Sequence, residues 1–210
     1  MKKQLEKTIN NIPELGQIPA FKGLLSDKEI IELCNTDNPM LSPFISKQIK
    51  EVEGRKVISY GLSSYGYDIR INQKIKVRNN LVNEIDPKDC KEDYYNTVDL
   101  EFGIYKMKPY ECILVESLEI FNIPKDVMGF CFGKSTYARS FLNLLVTPLE
   151  AGWSGKLVLE LVNMNDKPLI LHTKEGIAQI VFFRSNQCLT DYSKKDGKYQ
   201  NQKDIQISKI

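Results

Sequence analysis

The sequence predicts a mainly β protein, and three observations carry that reading. From residue 55 onward apolar residues recur at every second position. Gly, Pro, Asn and Asp separate these runs at short, fairly regular intervals, and no strand–helix–strand alternation appears. Short period-two runs with turn punctuation indicate a sandwich or barrel, whereas a doubly wound α/β fold needs helices between its strands. At 210 residues the chain is long enough to bury a real core without staples.

The elements follow in order. Residues 1–25 are polar with scattered Pro13, Gly16, Pro19 and Gly23, which predicts a loosely ordered lead-in. Ser26 can cap, Glu29 stands three residues later, and Ile30, Ile31 and Leu33 follow; this is a capping box opening a short N-terminal helix. Asn38, Pro39, Ser42 and Pro43 end it. Strands are predicted at 67–77, 97–105, 111–121, 155–163, 168–173 and 176–185. One domain is expected over 26–190, followed by a polar tail over 191–210 that reads as a mobile arm or lid.

Composition narrows the function classes. Lys plus Arg number 29 and Asp plus Glu 27, a formal charge of +2. Mixed signs near balance argue against a dedicated nucleic-acid or membrane-surface binder. No apolar run approaches the length of a membrane span. The stretch MKKQLEKTINNIPELG lacks an apolar core of the secretory type, so a cytoplasmic location is expected. The five cysteines include no CxxC pair, which disfavours a zinc ribbon or a disulfide framework. His172 is the only histidine, too few for the multi-histidine sets of most catalytic transition-metal centres, and it reads as a partly exposed strand residue. Cys131 reads as a small buried hydrophobe. Hydrolytic chemistry in this chain would rest on carboxylates, hydroxyls and arginine.

Four segments stand out. Gly133-Lys134-Ser135-Thr136-Tyr137-Ala138-Arg139 follows an apolar run and gathers two cations and two hydroxyls. It is not a Walker loop, because the required first glycine position holds Met128. Such groups suit a polyphosphate, and composition leaves a solvated turn equally open. Glu160 lies between Val158 and Val162 on one face of a strand whose other face is Leu157, Leu159 and Leu161. Burial there would raise its pKa and make it a candidate general acid/base; an outer-face glutamate is the alternative. SYGLSSYGYDIR (59–70) suggests tight turns and assembly. DGKYQNQ (196–202) could serve as a lid over a polar ligand or be an unstructured tail.

Together these motifs resemble a known family. GKSTYAR, TPLEAGWSGKLVLELVN, EGIAQ and GKYQNQ occur in the order seen in dCTP deaminases, and SYGLSSYGYDIR and EIDPK (84–88) are similar too. The resemblance spans roughly 55–205. It implies the distorted antiparallel β-barrel or jelly roll of the dUTPase-like type, and a homotrimer with active sites between subunits. It implies deamination of dCTP to dUTP and ammonia without zinc, which supplies dUTP for thymidylate synthesis. Mg²⁺ would accompany the triphosphate, with no metal held by the protein, and dTTP would be an inhibitor. The zinc-deaminase signature is absent.

Residue by residue, the resemblance implies catalytic roles for Glu160 as proton shuttle and for Ser135 and Arg139 beside the reacting carbon. Lys134, Ser135, Thr136, Tyr137, Ala138 and Arg139 would line the triphosphate and base site. Val158, Leu159 and Glu160 would hold the cytosine edge, with Gln179, Tyr192, Lys198 and Gln202 as further nucleotide contacts and Tyr199 in the closing tail. Two departures occur. Glu150 stands before Gly152-Trp153 where dUTP-hydrolysing relatives carry an aspartate, so the expected product is dUTP rather than dUMP. Ser140-Phe141 replaces the Cys-Gly or Leu-Gly pair of many relatives. A dUTPase or a bifunctional deaminase–diphosphatase giving dUMP is the alternative reading, and a non-catalytic nucleotide-binding relative is a third.

Overall fold

A computed structural model describes residues 23–210. Its strands are β1 (Gly23–Leu24), β2 (Leu41–Ser42), β3 (Ile49–Val52), β4 (Arg55–Ser63), β5 (Gly66–Arg78), β6 (Tyr95–Asp99), β7 (Ile104–Met107), β8 (Cys112–Asn122), β9 (Val127–Gly133), β10 (Leu142–Leu145), β11 (Ser154–Asn163), β12 (Leu169–His172) and β13 (Gly176–Arg184). Helix α1 (Asp27–Cys34) lies between β1 and β2, and the one-turn helix α2 (Ser135–Ala138) lies between β9 and β10.

The capping box forms as expected. Ser26 N–H donates to Glu29 Oε2 at 3.1 Å, and α1 buries Ile30 and Cys34. The run expected over 97–105 is two strands, β6 and β7, because a turn at Gly103 (φ +69°) interrupts it. The segment expected to be a loosely ordered lead-in also needs correction at its end. Gly23 and Leu24 pair with Arg184 and Phe183, and Leu25 is fully buried. The rest of that segment, 1–22, lies outside the described residues.

Eleven strands form one antiparallel sheet, whose main path runs β1-β13-β5-β8-β11-β10, and β12 pairs with β7 apart from it. The long β5 makes the sheet curl into a half-barrel. Its first half pairs with β4 and β13, its second half with β6 and β8, and the register with β8 shifts between Ile71 and Ile75. The concave side is the core. Tyr67, Ile69, Ile71 and Ile75 from β5 meet Ile113 and Val115 from β8, Leu157, Leu159 and Leu161 from β11, and Ile180 and Phe182 from β13. Each of these fully buried side chains contributes roughly 1.5–3 kcal/mol. Burial alternates strictly along β11, so the leucine face points to the core and Lys156, Val158, Glu160 and Val162 point away from it.

Candidate active site

The site begins with an incomplete strand edge. One edge of β11 pairs with β8 along its length. On the other edge β10 covers only 160–163, with Leu145 opposite Glu160. The C-terminal segment covers 154–156: Asn201 N–H donates to Ser154 O at 2.8 Å, Lys156 N–H donates to Gln202 O at 2.9 Å, and Gln202 Nε2 donates to Lys156 O. Because successive residues of a strand direct their peptide groups to opposite edges, Val158 faces the same edge as Lys156. It lies between Gln202 and Leu145 with no strand opposite. A flat, hydrogen-bonding group can use such a gap.

Glu160 stands beside that gap. Its side chain is half-buried between valines, and among the described residues its only hydrogen-bond donor is its own backbone N–H. Burial therefore dominates and pushes its pKa from 4.5 up to about 7, with the backbone N–H opposing. A carboxyl group poised near neutrality can both take and return a proton. Cys112, on β8 opposite Val162, is near enough for the Glu160 charge to help raise its thiol pKa.

The GKSTYAR segment forms a second group of residues. Lys134 caps α2, and its Nζ lies 2.6 Å from Asp68 Oδ2, which also accepts Gln48 Nε2 at 3.1 Å. Ser135, Thr136, Ala138 and Arg139 are exposed. Tyr137 is turned into the core, where its hydroxyl accepts His172 N–H at 2.9 Å, so only its backbone is free to line a site. Leu159 is in the same position on β11. Gln179 on β13 sits opposite Asp68 and Phe132, and its Nε2 donates to Ser63 Oγ at 3.1 Å. Phe141 adopts φ +58°, a left-handed conformation that glycine reaches more freely than phenylalanine. The turn closes regardless, with Phe141 N–H donating to Ala138 O and Met164 N–H donating to Phe141 O, each at 3.0 Å.

A family comparison decides what this arrangement belongs to. The model of the dCTP deaminase-like family matches residues 24–185. The chain is a member of the dCTP deaminase-like family. A dCTP deaminase of Protochlamydia amoebophila is 41% identical over 181 residues, 85% of this chain and 95% of that protein. A dCTP deaminase of Francisella tularensis subsp. novicida is 39% identical over 186 residues, 88% of this chain and 97% of that one. The crystal structure of the 2'-deoxycytidine 5'-triphosphate deaminase of Agrobacterium tumefaciens superposes with a TM-score of 0.58 at 19% identity. That match takes in 78% of this chain and 47% of the other, so this chain spans about half the length of that structure, and the likeness is one of fold. The mainly β, antiparallel barrel-type fold expected from the sequence is thus present, as a curled half-barrel shared with a dCTP deaminase structure.

Family membership makes the division of the site informative. The residues singled out in the sequence fall into two groups within one chain. Lys134, Ser135, Thr136, Arg139 and Gln179 cluster where β9, α2 and β13 meet. Val158, Glu160 and Gln202 line the open edge of β11; in the same tail Tyr199 bonds Tyr192, and Lys198 Nζ donates to Lys209 O at 3.1 Å. No hydrogen bond or ion pair joins Glu160 to Ser135 or Arg139 among the described residues.

The tail, expected to be a mobile arm or lid, is packed against the rest of the chain in this structure. Tyr192 N–H donates to Ala151 O, Trp153 Nε1 donates to Tyr199 O at 2.9 Å, and Tyr199 N–H donates to the Tyr192 hydroxyl at 3.2 Å. Glu150 takes Lys195 Nζ at 3.0 Å. Gly155 (φ +139°) permits the docking, since a Cβ there would meet the backbone N and O of Gln202 at 2.9 Å. Sequence reasoning missed the polar cluster beneath: Lys156 Nζ and Asn72 Nδ2 lie 2.6 Å and 2.8 Å from Glu116 Oε1. Its signal was present as Asn72, Glu116 and Lys156 on the non-core positions of three predicted strands.

Proposed function

We propose that the protein hydrolyses dCTP to dUTP and ammonia by general acid/base catalysis without zinc. Glu160 carries this reading: an unpaired, half-buried carboxyl group with a pKa near 7, next to an uncovered strand edge. Water attacks C4 of cytosine as Glu160 takes its proton. The carboxylic acid passes that proton to N3; Glu160 then takes the second proton, from the C4 hydroxyl of the tetrahedral adduct, and delivers it to the amine as the C4–N bond breaks and ammonia leaves. Arg139 stabilises charge around the attacking oxygen, and Ser135 orients the water or Glu160. The backbone of Val158 reads the base edge, and selection against uracil comes from hydrogen bonds that the wrong base leaves unmade.

The lack of any hydrogen bond or ion pair from Glu160 to Ser135 or Arg139 among the described residues supports a site completed by a second copy. So does an exposed apolar strip on β1, β9 and β13, in which Phe132 is 58% exposed and Phe130 packs edge-on against Phe183 at 5.6 Å. We read the assembly as a homotrimer, with dTTP competing at the same site. Mg²⁺ would ride on the triphosphate oxygens and water. Asp68, the acid beside the GKST turn, is already taken by Lys134 and Gln48, so the chain offers the triphosphate cations and amides rather than a metal cage.

The test is turnover of dCTP with Mg²⁺, with and without a zinc-selective chelator, resolving dUTP, dUMP and ammonia. Chelator-resistant dUTP and ammonia without dUMP is the expected result. Accumulation of dUMP would install the bifunctional alternative, and binding without turnover a regulatory relative.

A further inference from the structure

We infer that Ile205 and Ile207 are positioning residues that latch the C-terminal segment and so hold one wall of the base-binding gap at Val158. The inference rests on the reading of that gap given above. Both side chains are buried, at 2% and 7% exposure, in an otherwise polar segment. Their neighbours Asp204 and Ser208 are exposed, so the segment alternates as a strand does when one side lies on the protein.

The path of the segment shows what the latch holds. At Gln202 the chain is bonded to the edge of β11 through Lys156. Two residues later Asp204 reaches Lys74 Nζ on β5, at 3.7 Å. Gln202 lies on the edge of β11 away from β8, and β8 lies between β11 and β5, so reaching Lys74 carries the segment across the non-core side of both β11 and β8. Glu116 occupies that side of β8 and is 1% exposed, although it faces away from the core. Beyond the crossing, Ser208 Oγ donates to Pro87 O at 2.8 Å, and Lys209 N–H donates to the Tyr199 hydroxyl at 3.2 Å.

The polar ties are exposed or bridge long side chains, and each is worth little by itself. The two isoleucines supply the apolar area that keeps the segment down. Gln202 is bonded to β11 only while the chain beyond it is anchored. With the latch intact, the wall beside Val158 exists before nucleotide arrives, and binding need not order it.

The experiment compares the wild-type chain with Ile205→Ser/Ile207→Ser and with Ile205→Val/Ile207→Val. Hydrogen exchange of residues 199–202 is followed without nucleotide, and kcat and KM are measured for dCTP with Mg²⁺. In the serine variant those amides exchange at least about tenfold faster and KM rises about tenfold with kcat within twofold, while the valine variant restores both. Unchanged exchange overturns the latch, and faster exchange with unchanged KM overturns its positioning role. A wild-type chain that neither binds nor converts dCTP overturns the reading of the site and the positioning role with it. The exchange data then decide the latch separately, because they involve no nucleotide.

Discussion

Glu119 on β8 and Glu160 on β11 are both withdrawn from water, but their surroundings differ. Glu119 is wholly buried and fully engaged: Arg70 Nε lies 2.8 Å from one oxygen, and Arg70 N–H donates to the other at 3.0 Å. The guanidinium in turn stacks over Tyr60, 4.6 Å from the ring centroid. Glu160 is only half-buried, yet no other residue among those described donates to it. Burial raises the pKa of Glu119 as well, but the Arg70 hydrogen bonds and charge oppose that rise, and a carboxylate held by such a partner serves the fold. A carboxyl group left without a partner beside an open edge retains a proton equilibrium near neutrality, which is what proton transfer to and from a substrate requires.

Exchanging each acid for its amide would separate the two roles. Glu160→Gln should lower dCTP turnover by about 10²–10⁴-fold while nucleotide affinity, measured by calorimetry, stays within a few-fold. Retained turnover would remove Glu160 from the chemistry. Arg70→Met, which leaves Glu119 buried without its partner, should cost about 3–5 kcal/mol in urea unfolding. An unchanged unfolding midpoint would show that the pair is dispensable to the sheet.

The pH dependence sharpens the same contrast. The pKa of Glu160 is raised by folding, so its contribution to stability is complete below about 4.5 and is lost as pH rises through about 7. Relative to Glu160→Gln, the wild-type chain should therefore lose stability between these values. The catalytic base must be ionised, so kcat/KM for dCTP should fall as pH drops below about 7. Parallel stability curves for the two proteins would show that the carboxyl group titrates normally. The smallest effect belongs to the helix start. Ser26→Ala should cost about 1 kcal/mol in thermal or urea unfolding and leave turnover within about twofold, since the Ser26 side chain bonds Glu29 of its own helix.

Much of this molecule was legible in its residue order. The alternation of leucines with Val158, Glu160 and Val162 set the two faces of β11 before any pairing was known, because side chains of a strand point alternately to opposite sides. The capping box marked the start of α1 to the residue. The division of 97–105 into two strands was less visible, since Gly103 can sit within a strand as well as at a turn. The tail misled for a physical reason. Its polarity suggested a mobile arm or lid, but it carries two buried isoleucines among polar neighbours, and burial of single apolar residues in a polar segment is set by tertiary contacts that the local pattern does not show.

Sequence alone therefore determined the β architecture, the polar and apolar sides of each strand, and the residue types available for chemistry. These follow from local periodicity and turn chemistry. Tertiary structure alone decided that Glu160 lacks a partner while Glu119 has one. It also decided that Tyr137 turns inward, and that β10 and the tail leave Val158 uncovered between them. Those outcomes depend on which distant segments meet. Burial, ion pairing and a vacant strand edge are properties of that meeting and belong to no residue by itself.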